Sequence, residues 1–136
     1  MVHRMIIFTF ILAILITMSA CFNNERKEER VVCGIKVENC HYNIGKVDTS
    51  SGTNLSKHFC YMLYNTTNQT IQFDSVEVSC NCLSVEHSPK FINAYSNDSV
   101  VGNINLQGLK GSFSRSLYVN LGTGDVMLLR VVGVVD

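Results

Sequence analysis

Six cysteines, Cys21, Cys33, Cys40, Cys60, Cys80 and Cys82, are the residues of this chain with the most chemistry to offer. Cys80 and Cys82 flank Asn81 in the stretch SCNCLS, and that spacing suits three roles. The pair could cycle between dithiol and disulfide, because a bond across so short a loop would be strained and reducible. Two thiolates could instead hold a metal with a third ligand, for which Cys60 and His87 are the candidates. Or each could pair elsewhere or pack as a small apolar residue near a strand end. On a regular strand their Cα atoms would stand about 6.6 Å apart at roughly 3.3 Å per residue, near the outer limit for a disulfide. A direct bond therefore needs a bend, which asparagine permits less readily than glycine while still tolerating the left-handed region. No second spaced pair accompanies them, as a strong zinc signature would require. Cys33 and Cys40 are the candidate disulfide at the start of the folded domain, closing a short loop worth about 2 to 3 kcal/mol.

Other chemistry finds less support. His41, His58 and His87 stand among many serines, but no nucleophile elbow, paired-carboxylate spacing or glycine-rich phosphate loop accompanies them. The expectation is a protein that is not an enzyme. Lys plus Arg equals Asp plus Glu at 11 each, and the one charged cluster is residues 26–30, so no basic footprint for nucleic acid is present.

The elements that would position these residues begin with an export segment. MVHRM is a short positive start, IIFTFILAILITM is an apolar run of 13 residues, and SAC follows it. This is the pattern of a signal peptide over residues 1–20, shorter than the roughly 20 apolar residues of a comfortable span. Met18-Ser19-Ala20-Cys21 resembles the bacterial lipobox, which implies cleavage before Cys21 and acylation of its sulfur and its new N-terminus. That covalent lipid on Cys21 is the sole non-protein group expected; no cofactor is. Residues 21–34 then read as lipid-bearing cysteine and polar linker. Phe22 rather than aspartate follows the cysteine, which favours the outer over the inner membrane.

Residues 35–136 are expected to form the folded domain. Short β-rich runs are separated by Gly, Asn, Asp and Ser clusters, with one proline and no sustained 3.6-residue period. Strands are predicted near Ile44–Val47, across HFCYMLY as a central strand apolar on both faces, across Ile71–Cys82, near Ser99–Leu106, near Phe113–Leu121 and across Val126–Val135. Ile71 and Phe73 share one parity while Val76, Val78, Cys80 and Cys82 share the other, so a bulge near Asp74 and Ser75 is predicted. NTTNQT, QGLKG and GTGD supply turns. About seven strands in roughly 100 residues is the pattern of an all-β, immunoglobulin-like sandwich. Tryptophan is absent, so the antibody-type Cys, Trp, Cys core is excluded.

Ile44-Gly45-Lys46-Val47, HFCYMLYNTT, VEVSCNCLS, GSFSRSLYV and LLRVVGV together resemble the bacterial domain of unknown function numbered 1573, over about residues 42–135. Members are exported, often lipid-anchored, and carry an SCGCT signature after an N-T-G turn. Here the signature's glycine is Asn81 and its threonine Leu83, and Thr67 replaces the turn glycine. The resemblance implies an immunoglobulin-like fold related to the cilium- and centrosome-associated and PapD-like sandwiches, and brings no established activity. Taken together, the expectation is an envelope lipoprotein with a non-catalytic binding or scaffolding domain. Its partners would be the membrane, through the anchor, and another envelope protein or surface ligand. The alternative is an envelope thiol-redox or metal-binding protein built on Cys80 and Cys82.

Overall fold

The structure, a computed structural model, describes residues 28–50, 52 and 55–136. The expected signal peptide and the lipid-attachment Cys21 lie outside the described residues, as does the linker up to residue 27. Ten strands follow: β1 Arg30–Val32, β2 Ile35–Val37, β3 His41–Val47, β4 Ser56–Asn65, β5 Ile71–Val78, β6 Leu83–His87, β7 Phe91–Ile92, β8 Asn97–Asn105, β9 Gly111–Leu121 and β10 Val126–Val135. They form two five-stranded sheets, ordered β1-β2-β4-β8-β6 and β3-β10-β9-β5-β7. The described residues are all-β, and the sheets close on each other as a sandwich.

Alternation drives the closure. Phe59, Tyr61 and Leu63 of β4, with Val100 and Ile104 of β8, face Leu117, Val119 and Leu121 of β9 and Met127, Leu129 and Val131 of β10 in one buried cluster. Burying a Leu, Val or Phe side chain contributes about 1.5 to 3 kcal/mol, so this interface is the main source of stability. The Tyr61 ring lies in the core and its hydroxyl donates to the Arg130 carbonyl at 2.6 Å, satisfying the one polar atom the ring brings inside. Burial raises the pKa of that hydroxyl well above the ordinary phenol value.

The β5 bulge falls where parity requires it, between Phe73 and Ser75 opposite β9. Three sequence expectations need correction. First, folded structure starts inside the expected linker, because β1 pairs with β2 as a hairpin. Second, β5 stops at Val78, and Ser79 to Cys82 form a turn into β6 of the other sheet. Third, β4 is central in its sheet, but its outer face is open: Cys60 is exposed and Met62 is 41% exposed.

Asn65 is the buried polar residue among the described side chains. Its Nδ2 donates to the carbonyls of Gln69, Ile92 and Asn93 at 2.7, 3.0 and 3.1 Å. Its Oδ1 accepts from the Thr67 backbone N–H at 2.9 Å and the Thr67 hydroxyl at 2.7 Å. One amide thus ties the β4–β5 loop to the segment that follows β7. Removing it leaves buried carbonyls without a donor, which costs about 1 to 3 kcal/mol per group. Asn65→Ala is therefore expected to lower unfolding stability by about 3 kcal/mol in urea titration, whereas Asn68→Ala, on the same loop, should change it by less than about 0.5 kcal/mol.

Candidate functional site

The cysteines occupy three different settings. Cys80 and Cys82 are bonded to each other, with Cα atoms 5.2 Å apart rather than the separation a straight strand would impose. A β-turn provides the bend: the Leu83 N–H donates to the Cys80 carbonyl at 3.2 Å. Both sulfur-bearing residues pack against the core. Backbone bonds from Ser79 to Ser116 and from Asn105 to Cys82 fasten the turn to one sheet on each side. The pair is thus a clip at the crossing from β5 to β6.

The expected metal set of Cys80, Cys82, Cys60 and His87 does not assemble. The two sulfurs of the clip are bonded to each other and offer no thiolate. Cys60 pairs with Val101 on β8, and Val101 pairs in turn with His87 on β6, so Cys60 and His87 stand two strand spacings apart, roughly 9.5 Å. His87 instead places Nε2 2.9 Å from Asp98 Oδ1, and this contact holds the Asp98 carboxyl below its ordinary range.

The expected Cys33–Cys40 disulfide is likewise corrected: both are free thiols. The extended strand β2 lies between them and holds them at its two ends. Cys33 sits in the β1–β2 turn with a left-handed φ of 47°, and its thiol donates to Asp125 Oδ2 at 2.8 Å. That hydrogen bond raises the Cys33 pKa and lowers that of Asp125.

Cys40 lies at the point where the chain leaves one sheet for the other. Its N–H donates to the Glu28 carbonyl at 3.1 Å, and its own carbonyl accepts from the Arg130 N–H at 2.8 Å. The buried thiol stands 3.5 Å from His41 Nδ1, and Glu28 Oε2 stands 3.1 Å from the same nitrogen. Burial first, then the Glu28 charge, raises the Cys40 pKa. The thiol is therefore not activated as a nucleophile. In a relay the imidazole would use both nitrogens, whereas here the carboxylate and the thiol face one and the same atom. Sequence reading missed this cluster, since Glu28 falls in the expected linker; the adjacent Cys40-His41 pair was its one visible signal.

A cleft of about 590 Å³ opens at one end of the sandwich between the β1–β2 turn, the β4–β5 loop and the β9–β10 hairpin. Its lining combines neutral hydrogen-bonding side chains, Thr67, Asn68, Gln69, Thr70, Gln72 and Thr123, with apolar Ile71, and the Asp125 carboxylate is bonded to Cys33 and Thr123 at its edge. The loops are joined to each other: Thr66 donates through both its N–H and its hydroxyl to the Gly34 carbonyl at 2.9 and 2.8 Å. Gly34 has φ of 83°, and a Cβ there would collide with Thr67 Cγ2, so glycine is required on both counts. The polar turn NTTNQT was legible in sequence, but not its meeting with Cys33 and Thr123.

This architecture, with sheet-crossing connections at both ends and a parallel β3–β10 pair, is that of an immunoglobulin-like sandwich. Among solved structures it is similar to a PapD-like domain of human CEP192, with a TM-score of 0.60 and 7% identity over 76% of this chain and 85% of that one. It is also similar to a protein of unknown function from Porphyromonas gingivalis W83, with a TM-score of 0.61 and 9% identity over 73% of this chain and 45% of that one. The secreted serine protease VesC from Vibrio cholerae matches with a TM-score of 0.56 and 9% identity over 83% of this chain but only 24% of its own. Identities this low show a shared fold and nothing of activity. No protein-family model and no curated protein matches the sequence.

Replacing both clip residues, Cys80→Ser with Cys82→Ser, should leave a cooperatively folded protein that is less stable by about 1.5 kcal/mol, the chain-entropy value for so short a loop. Urea titration of the two forms checks this. A loss beyond about 4 kcal/mol would mean that the crossing cannot form without the bond.

Proposed function

We propose that this chain is a bacterial envelope lipoprotein whose sandwich binds another envelope component, without catalysis, through the loop-end cleft. The cleft itself carries the reading: three loops, locked by Asn65, by the Thr66 to Gly34 bonds and by the Cys33 to Asp125 and Gly122 to Gln72 bonds, present hydrogen-bonding groups around one opening. A surface ordered before binding loses less conformational entropy on contact. Its lining suits an uncharged partner rich in hydrogen-bonding groups.

The lipobox-like Met18-Ser19-Ala20-Cys21 supports the anchor, and Phe22 supports an outer-membrane destination. The resemblance to the domain of unknown function numbered 1573 supports the same location, and the PapD-like fold suits a binding module. A photo-reactive residue placed at Asn68 or Thr123 should give a specific adduct in intact envelopes, while one at Lys57, outside the cleft, should not. Equal adducts from all three positions, or none from the cleft, would remove the cleft from consideration. Radiolabelled palmitate should enter the wild-type chain and not Cys21→Ser; label in both would overturn the anchor assignment.

A further inference from the structure

We infer that Glu28, Cys40 and His41 form a binding site for a single zinc-type divalent cation at the point where β2 hands the chain over to β3. The three donor atoms, a carboxylate oxygen, Cys40 Sγ and an imidazole nitrogen, lie within 4.8 Å of one another. Tetrahedral zinc with bonds of about 2.3 Å to sulfur and about 2.0 Å to nitrogen and oxygen sets ligand separations of about 3.5 Å for S to N and about 3.3 Å for N to O. The observed separations are 3.5 Å from Cys40 Sγ to His41 Nδ1 and 3.1 Å from His41 Nδ1 to Glu28 Oε2. Two of the three edges thus match a coordination tetrahedron, and the third, Cys40 Sγ to the Glu28 carboxylate, lies within 4.8 Å.

The surroundings hold them there. Arg30 Nη2 takes the other Glu28 oxygen, Oε1, at 2.9 Å and so turns Oε2 toward the imidazole. The Cys40 backbone is bonded on both sides, to Glu28 and to Arg130, and the His41 N–H donates to Asn39 Oδ1 at 3.0 Å. Partners of this kind orient a ligand set before the metal arrives. Without a cation the three groups are held by protons, the imidazole and the thiol each able to donate to the Glu28 carboxylate. A cation would replace those protons with three ligand bonds at one point.

Access is one-sided. Cys40 forms a buried floor at 1% exposure, while the side chains of His41 and Glu28 are 32% and 49% exposed. A pocket of about 250 Å³ lies beside His41, between Tyr42, Cys60 and Met62; the partial exposure of His41 and Glu28 themselves leaves the fourth position to water or an exchangeable ligand. The thiolate and imidazole select zinc, cobalt or copper over calcium and magnesium, which prefer all-oxygen shells.

The test is a titration of the full-length protein, its Cys80–Cys82 disulfide intact, with Co²⁺ and then Zn²⁺. We expect one Co²⁺ per chain with a thiolate-to-cobalt charge-transfer band in the near ultraviolet, bleached by one equivalent of Zn²⁺. Cys40→Ser should abolish the band. His41→Gln should weaken binding at least tenfold, and Cys33→Ser should leave it unchanged. Circular dichroism establishes that each variant is folded. Should Cys40→Ser not fold, the half-exposed His41→Gln and Glu28→Gln decide the matter. No stoichiometric cobalt at micromolar protein, a band that survives in Cys40→Ser, or binding equal to wild type in both surface variants would overturn the site.

Discussion

Passage of the chain between two sheets is the constraint on which this structure depends. Only β1–β2 and β9–β10 follow one another within a sheet, so every other connection crosses the sandwich. Each crossing takes backbone past the edge of an apolar core, where an unpaired N–H or C=O is costly. The molecule meets that cost with specific partners. Asn65 serves two crossings with one amide, because the β4–β5 loop runs from one sheet to the other and the segment after β7 runs back. Leu106, at the β8–β9 crossing, donates its N–H to the Leu55 carbonyl at 2.6 Å and buries its side chain completely. Tyr61 joins the sheets directly through Arg130.

The same constraint explains why cysteines of one chain take different chemical states. Cys80 and Cys82 stand in a turn that must bend sharply to move between sheets, and the bend brings their Cα atoms within disulfide range. Cys33 and Cys40 stand at opposite ends of a short extended strand, which keeps them apart however oxidising the compartment. Cys60 lies on a strand whose outer face has no layer over it. Backbone path, not thiol chemistry, selects which pair is bonded.

Sequence pattern made the sandwich legible where strands are long and one face is wet. Phe113, Leu117, Val119 and Leu121 alternate with Ser114, Ser116, Tyr118 and Asn120, and all four apolar residues are buried. Parity alone located the β5 bulge, because a one-residue offset moves every later side chain to the other face. Strands of two or three residues, β1, β2 and β7, are too short to show a period. The SCNC crossing was hidden for another reason: its alternation continues that of β5 while its backbone has already left the sheet. Neither candidate site was legible, since each joins residues that only the fold brings together, Glu28 with Cys40 and Cys33 with Thr67 and Thr123.

Where the ordered domain begins also follows from this packing. Glu28 is fixed to Cys40 through its carbonyl and to Arg30 and His41 through its carboxylate, so the domain grips the chain two residues before β1 begins. If Cys21 carries the lipid, six residues, 22–27, separate anchor from grip, and the seven Cα-to-Cα steps reach at most about 25 Å when fully extended. The sandwich would then ride close to the membrane surface, with its orientation set at the Cys40 crossing rather than along a long linker. A cation bound by Glu28, Cys40 and His41 would tighten that grip, because it links the last tether residue to the crossing through ligand bonds in place of two exposed contacts. The metal site would thereby act on how firmly the domain is positioned over its anchor, while the cleft, at the loop end of the sandwich, is left free to bind.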